Sequence, residues 1–220
     1  MSFPLIPRYA LLEPQVTVSL PKHITSTTGM DALTHAVEAF IGNSTTKKTR
    51  YYAKHAVNLI LKNLDTAVFT GDNIEARKNM LEASFYAGCA FTVSYVGYVH
   101  AIAHSLGGEY NVPHGLANAV ILPMILKAYG HKIDKKLKTL AIEAGLATST
   151  TPQEEAAASF IRAIEEKNKS YGIGTTIPEI KAEDISRLAK HAAKEANPLY
   201  PVPILWNAKE LEHFYKELSP

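Results

Sequence analysis

Residues 83–108, ASFYAGCAFTVSYVGYVHAIAHSLGG, contain no Asp, Glu, Lys or Arg, and two architectures compete for such a stretch. A membrane helix needs about 20 predominantly apolar residues. Here Ser84, Thr92, Ser94, Tyr95, Tyr98, His100, His104 and Ser105 interrupt the apolar run too often, and Gly88 and Gly97 weaken one long helix. The segment is therefore expected to be the buried centre of a helical protein.

Working outward, the first two dozen residues carry prolines at 4, 7, 14 and 21, which no helix accepts in its interior. They predict an extended lead-in over 1–25. From Ser26 the apolar set Leu33, Val37, Phe40 and Ile41 follows the 3.6-residue period, with Ser26 or Thr27 as cap for a helix over 29–41. Further helices are expected near 46–66, 73–96, 98–106, 115–128, 132–145, 152–168, 182–195 and 207–217, each bounded by Gly, Pro, Asn or Asp. No fixed-period repeat, low-complexity tract or flexible linker divides the chain. The reading is one all-α, multi-helix, bundle-like domain over 26–220.

At 220 residues, 46% hydrophobic and 20% charged, the chain can bury a large core and is too apolar for a disordered one. A formal net charge of +2 without runs of like sign disfavours nucleic acid, whose binders carry a basic stripe. The only cysteine is Cys89, and no charged segment followed by a long apolar run opens the chain. A cytoplasmic address is expected, without membrane contact.

Three of the nine histidines fall within residues 100–115, HAIAHSLGGEYNVPHG. His100 and His104 are one helical turn apart in surroundings too apolar for a solvated face, so their imidazoles need hydrogen bonds or a metal. His114 follows at the start of another helix. In TGMDALTHAVEAF, Asp31 and His35 share a helix face at the same spacing. Taken alone, that pair fits a solvated surface, because Leu33, Ala36, Val37 and Phe40 lie on the far side. Nearby histidines combined with a carboxylate from a separate helix suit a divalent transition metal such as Fe(II), Zn(II) or Co(II).

Competing signatures fail on particular letters. HAIAH has Ala101 where a zinc protease carries its general-base Glu. No His-Asp dipeptide occurs, which removes the simplest mark of helical metal phosphohydrolases. GIGTTI, residues 172–177, only partly fits a dinucleotide fingerprint, lacking its third glycine and a preceding strand.

With these residues assembled, the sequence resembles the iron-containing, or group III, alcohol dehydrogenase family. TGMDALTHAVEAF at 28–40 and GYVHAIAHSLGGEYNVPHGLANAVILP at 97–123 carry the match, supported by PRYALLEPQVTVSLPKHITST and by ANPLYPVP near 196–203. The resemblance implies a dehydroquinate synthase-like C-terminal fold and metal ligation by Asp31, His35, His100 and His114. It implies that His104 lies near the nicotinamide with a catalytic and cofactor-binding role, and that Phe91 lines the substrate pocket. Gly107, Gly108 and Gly115 would allow close backbone approach, and Asn111 or Asn118 would support a ligating imidazole.

The implied activity is metal-assisted hydride transfer between a primary alcohol or aldehyde and NAD or NADP, with Fe(II) as first candidate and Zn(II) as second. Family members carry an N-terminal nucleotide-binding domain, so the chain is expected to correspond to the metal- and substrate-binding half, lacking that domain. The expected partners are an alcohol or aldehyde substrate and that domain, with a homo-oligomer left open. Two other readings stand beside this one: a non-catalytic helical scaffold or oligomerisation domain that retains the site, and a glycerol dehydrogenase-like polyol enzyme.

Overall fold

The computed structural model describes residues 9–220. Nine α-helices and no strand are found among the described residues: α1 (Lys22–Ile41), α2 (Lys47–Phe69), α3 (Ile74–Ser94), α4 (Tyr98–Tyr110), α5 (His114–Tyr129), α6 (Asp134–Glu143), α7 (Gln153–Ser170), α8 (Ile185–Ala196) and α9 (Ala208–Leu218). The uncharged segment 83–108 is split between α3 and α4. The break falls at Tyr95, whose φ of 63° leaves the helical region, and at Gly97; Gly88 sits inside α3 without interrupting it. No helix among the described residues is long and apolar enough to cross a membrane.

The start of the helical body differs from expectation. α1 begins at Lys22, directly after Pro21, and Ser26 and Thr27 are interior residues. Their hydroxyls donate to the His23 carbonyl at 3.1 and 2.7 Å, satisfying within the helix the groups that would otherwise favour a cap. Nor is the described part of the lead-in uniformly extended. Pro14–Thr17 forms a turn of 3-10 helix, closed by the Glu13 side chain accepting from the Gln15 N–H. The expectation for residues 1–8 lies outside the described residues.

α1 packs against α2, α3 and α5, and this surrounds it. Leu33, Val37, Phe40 and Ile41 are buried, and so are Met30, Ala32, Ala36 and Ala39 around the rest of its circumference. Each such Leu, Val, Ile or Phe contributes roughly 1.5–3 kcal/mol relative to exposure. Small residues permit the close spacing. A Cβ on Gly115 of α5 would stand 2.6 Å from the Thr27 carbonyl oxygen of α1, a backbone atom that cannot rotate away. Gly115→Ala is therefore expected to destabilise by about 1–3 kcal/mol despite alanine's better helix propensity. Thermal unfolding checks this, and an unchanged midpoint would show that α1 and α5 do not meet so closely.

The candidate metal centre

α1 brings Asp31 and His35 to one face, α4 brings His100 and His104, and α5 opens at His114. One ligand atom from each of Asp31, His35, His100 and His114 lies within 4.8 Å of all the others. From the Asp31 carboxylate, His114 Nε2 is 3.3 Å away, His100 Nε2 3.8 Å and His35 Nδ1 3.9 Å. These separations leave room for an ion with ligand bonds of about 2.0–2.2 Å. Within the set, His100 Nε2 is a buried polar atom without a hydrogen-bond partner. A lone nitrogen aimed among other donors fits a metal ligand better than it fits a protein hydrogen-bond network.

The pair on α1 is not a solvated face. The side chains of Asp31 and His35 are each only 20% exposed, and His35 is sandwiched between Phe91, at 4.3 Å and 17°, and His100, at 4.4 Å and 28°. The solvated reading failed because it assigned one buried side to a helix that is enclosed by three neighbours.

His104 lies outside the four. Its Nδ1 is 2.7 Å from Glu195 Oε1 of α8, and the same oxygen accepts from the Tyr200 hydroxyl at 2.7 Å. Its ring stacks on His114 at 5.2 Å and 16°. Phe91, Thr92, Tyr95, Val96 and Tyr200 join His35, His100, His104 and His114 around a cavity of about 330 Å³. Phe91 is thus a cavity-wall residue as well as a stacking partner.

Electrostatics separate the titratable groups. Burial and the charge of His100 push His35 down to about 4, which keeps it neutral and able to ligate at neutral pH. Burial opposes ionisation of Asp31, but the hydrogen bond from His114, the charge of His35 and the Asn118 amide together hold its carboxyl below the usual range. The hydrogen bond to Glu195 outweighs burial and raises His104 above an ordinary histidine.

A pH dependence follows for the metal-free chain. Below pH 6.5 the unfolded chain protonates a residue-35 imidazole that the fold keeps neutral to about 4. Stability should therefore fall as pH drops through that window, by on the order of 3 kcal/mol. His104, raised and half exposed, contributes with the opposite sign: its stabilisation is present below pH 6.5 and lost as pH rises through its folded value. Urea midpoints of the wild type and His35→Asn between pH 4 and 7 check the first effect; equal slopes would remove His35 as its source.

Other expected residues behave differently. Asn118 Nδ2 donates to Asp31 Oδ1 at 2.6 Å and lies 3.0 Å from His114 Nε2. Asn111 instead ends α4 in the left-handed conformation, with φ 55°. Gly115 is crowded, whereas a Cβ on Gly107 would meet only the Val112 carbonyl at 3.6 Å and one on Gly108 would meet nothing within 4 Å. Neither of those two positions therefore needs glycine for close packing. Sequence reasoning missed Glu38, Glu195 and Tyr200. Glu38 was recoverable, being one turn beyond His35 on the stripe that begins at Asp31. Glu195 and Tyr200 come from a distant segment with no local pattern linking them to the histidines.

The fold and this cluster define an all-helical domain with the donor set of a transition-metal site. Residues 25–219 match the Fe-containing alcohol dehydrogenase family, C-terminal, and the chain belongs to that family. It is 37% identical over 214 residues to a 1,3-propanediol dehydrogenase of Citrobacter freundii, covering 96% of this chain and 55% of the relative. It is 36% identical over 193 residues to an NAD-dependent methanol dehydrogenase of Bacillus methanolicus, covering 87% and 51%. The crystal structure of a 1,3-propanediol oxidoreductase superposes with a TM-score of 0.88 at 36% identity, covering 94% of this chain and 54% of that one. An alcohol dehydrogenase from Oenococcus oeni gives 0.87 at 32% identity, with 93% and 54% covered. The chain spans about half the length of these relatives.

Proposed function

We propose that this chain is the metal- and substrate-binding half of an NAD(P)-dependent alcohol dehydrogenase of the cytoplasm, interconverting primary alcohols and aldehydes together with a nucleotide-binding domain. The observation that carries the reading is the convergence of Asp31, His35, His100 and His114 within 4.8 Å, with His100 Nε2 unpartnered, beside a cavity of about 330 Å³. Three imidazoles and one carboxylate suit Fe(II) or Zn(II). When bound, such an ion supplies Lewis-acid polarisation of the alcohol or carbonyl oxygen.

The chain's own residues perform the rest. Phe91, Tyr95 and Val96 provide an apolar wall for a short carbon chain and exclude water from the reacting carbon. His104, held at Nδ1 by Glu195, faces the same cavity and can position the nicotinamide ring or pass a proton. NAD as acceptor is supported by the relative named as an NAD-dependent methanol dehydrogenase.

The test is turnover. Joined to the nucleotide-binding half of one of these relatives and loaded with Fe(II) or Zn(II), the chain should reduce NAD with short primary alcohols and lose that activity to a chelator. Preference for polyols would favour the glycerol dehydrogenase-like reading. Metal binding without turnover on any alcohol would favour a non-catalytic scaffold.

A further inference from the structure

Glu38 is absent from the donor set, yet its carboxylate is among the most fully engaged polar groups of the interior. It is 4% exposed. Oε1 accepts from the Val99 N–H at 2.9 Å, while Oε2 accepts from the Gly97 N–H at 2.9 Å and lies 2.6 Å from His100 Nδ1. The two amides belong to the N-terminus of α4, whose cap residue Gly97 has no side chain to serve them. Helix N-termini favour an anion. Glu38 provides one from α1.

The same carboxylate also decides the chemistry of His100. A carboxylate already accepting from two amides is a pure acceptor, so its third partner has to donate. In the neutral imidazole the His100 proton therefore resides on Nδ1, and the lone pair on Nε2. That Nε2 is buried, unpartnered and 3.8 Å from Asp31 Oδ1.

Gly97 supports the arrangement independently. Its φ of −139° is open to any residue, so conformation does not require glycine there. Space does: a Cβ would stand 2.7 Å from Glu38 Oε1.

We propose that Glu38 is a positioning residue of the metal centre, its one carboxylate capping α4 and holding His100 as the Nδ1–H tautomer with Nε2 directed at the other three donors. Gly97 is the space that lets it do so. The proposal rests on the metal-centre reading given above and assigns no ligand role to Glu38. A capping role alone would differ: its loss would lower stability but leave both the metal affinity of the folded protein and the His100 tautomer unchanged.

Glu38→Gln keeps the shape but sets one acceptor oxygen and an NH₂ against three donors. Metal-free protein titrated with Co(II) or Zn(II) against a competing chelator should show affinity weakened by about 10–100-fold in folded Glu38→Gln, as for other outer-sphere partners of ligating histidines. Gly97→Ala, which keeps the carboxylate but displaces it, should shift affinity in the same direction, and it carries the test if Glu38→Gln does not fold. Imidazole ¹⁵N NMR of the metal-free chain supplies a readout that capping alone would not move: His100 should be Nδ1–H in the wild type and lose that preference in Glu38→Gln. Wild-type affinity in the folded variants, or an Nε2–H His100 in the wild type, overturns the proposal. A wild type that takes up no metal would instead sink the metal-centre reading, and the tautomer would still decide the role of Glu38.

Discussion

Residues 1–220 alone, loaded with metal and given NAD(P) and a primary alcohol, are expected to turn over far below the rate of about 1 per second that marks the lower end of ordinary enzymes. Hydride transfer requires the nicotinamide within about 3–3.5 Å of the reacting carbon, and holding it there contributes roughly 7–11 kcal/mol to lowering the barrier. Proteins achieve this by anchoring the cofactor's diphosphate on glycine-rich turns that lead from a strand into a helix. The described residues contain no strand. GIGTTI, the nearest match in the sequence, follows the end of α7 as a turn with Gly172 at φ 73°, leading into no helix N-terminus that a diphosphate could use. On the proposed reading the cluster and cavity receive the alcohol, and the described residues offer no glycine-rich strand-to-helix turn to anchor its redox partner. Fluorescence titration with NAD(P)H alongside a steady-state assay checks both points. Micromolar cofactor affinity with turnover near 1 per second would show that these residues carry a nucleotide site of their own.

Much of the architecture was legible because helices announce their ends. Asn73 caps α3 by accepting from the Ala76 N–H, and Asn207 caps α9 in a full capping box with Glu210; both residues stand one position outside the apolar period, where cap chemistry places them. The uncharged stretch was readable for a similar reason, since its polar letters argued against a membrane helix and Gly97 marked the break, whereas Gly88 lies within α3 and marks none. The start of α1 was not legible. Ser26 and Thr27 are cap residues by type, but their hydroxyls bond back within the helix, and the sequence does not reveal which of those two uses a serine or threonine adopts.

The site divides along the same line. Pairs one helical turn apart, Asp31 with His35 and His100 with His104, are visible in any sequence because the spacing is local. What the spacing does not reveal is which member of a pair points inward. The structure distinguishes His100, 2% exposed and tied to Glu38, from His104, 42% exposed and tied to Glu195, and both partners come from other helices. Glu195 is separated from His104 by 91 residues, so only the packing of α8 against α4 joins them.

The central claim, that Asp31, His35, His100 and His114 hold one metal ion, is tested most directly by metal content in paired histidine variants. His100→Ala removes a buried imidazole whose Nε2 has no other partner, and it leaves Glu38 one donor short. That second loss costs about 1–3 kcal/mol of stability, so circular dichroism should confirm the fold before metal is measured. His104→Ala removes an imidazole that lies one turn away and makes its bond to Glu195 instead. After reconstitution with Fe(II) or Zn(II) and gel filtration, the wild type and His104→Ala should each retain about one ion per chain, the content of a mononuclear site, and folded His100→Ala should retain almost none. Equal metal in the wild type and His100→Ala, or loss in His104→Ala alone, would contradict the assignment.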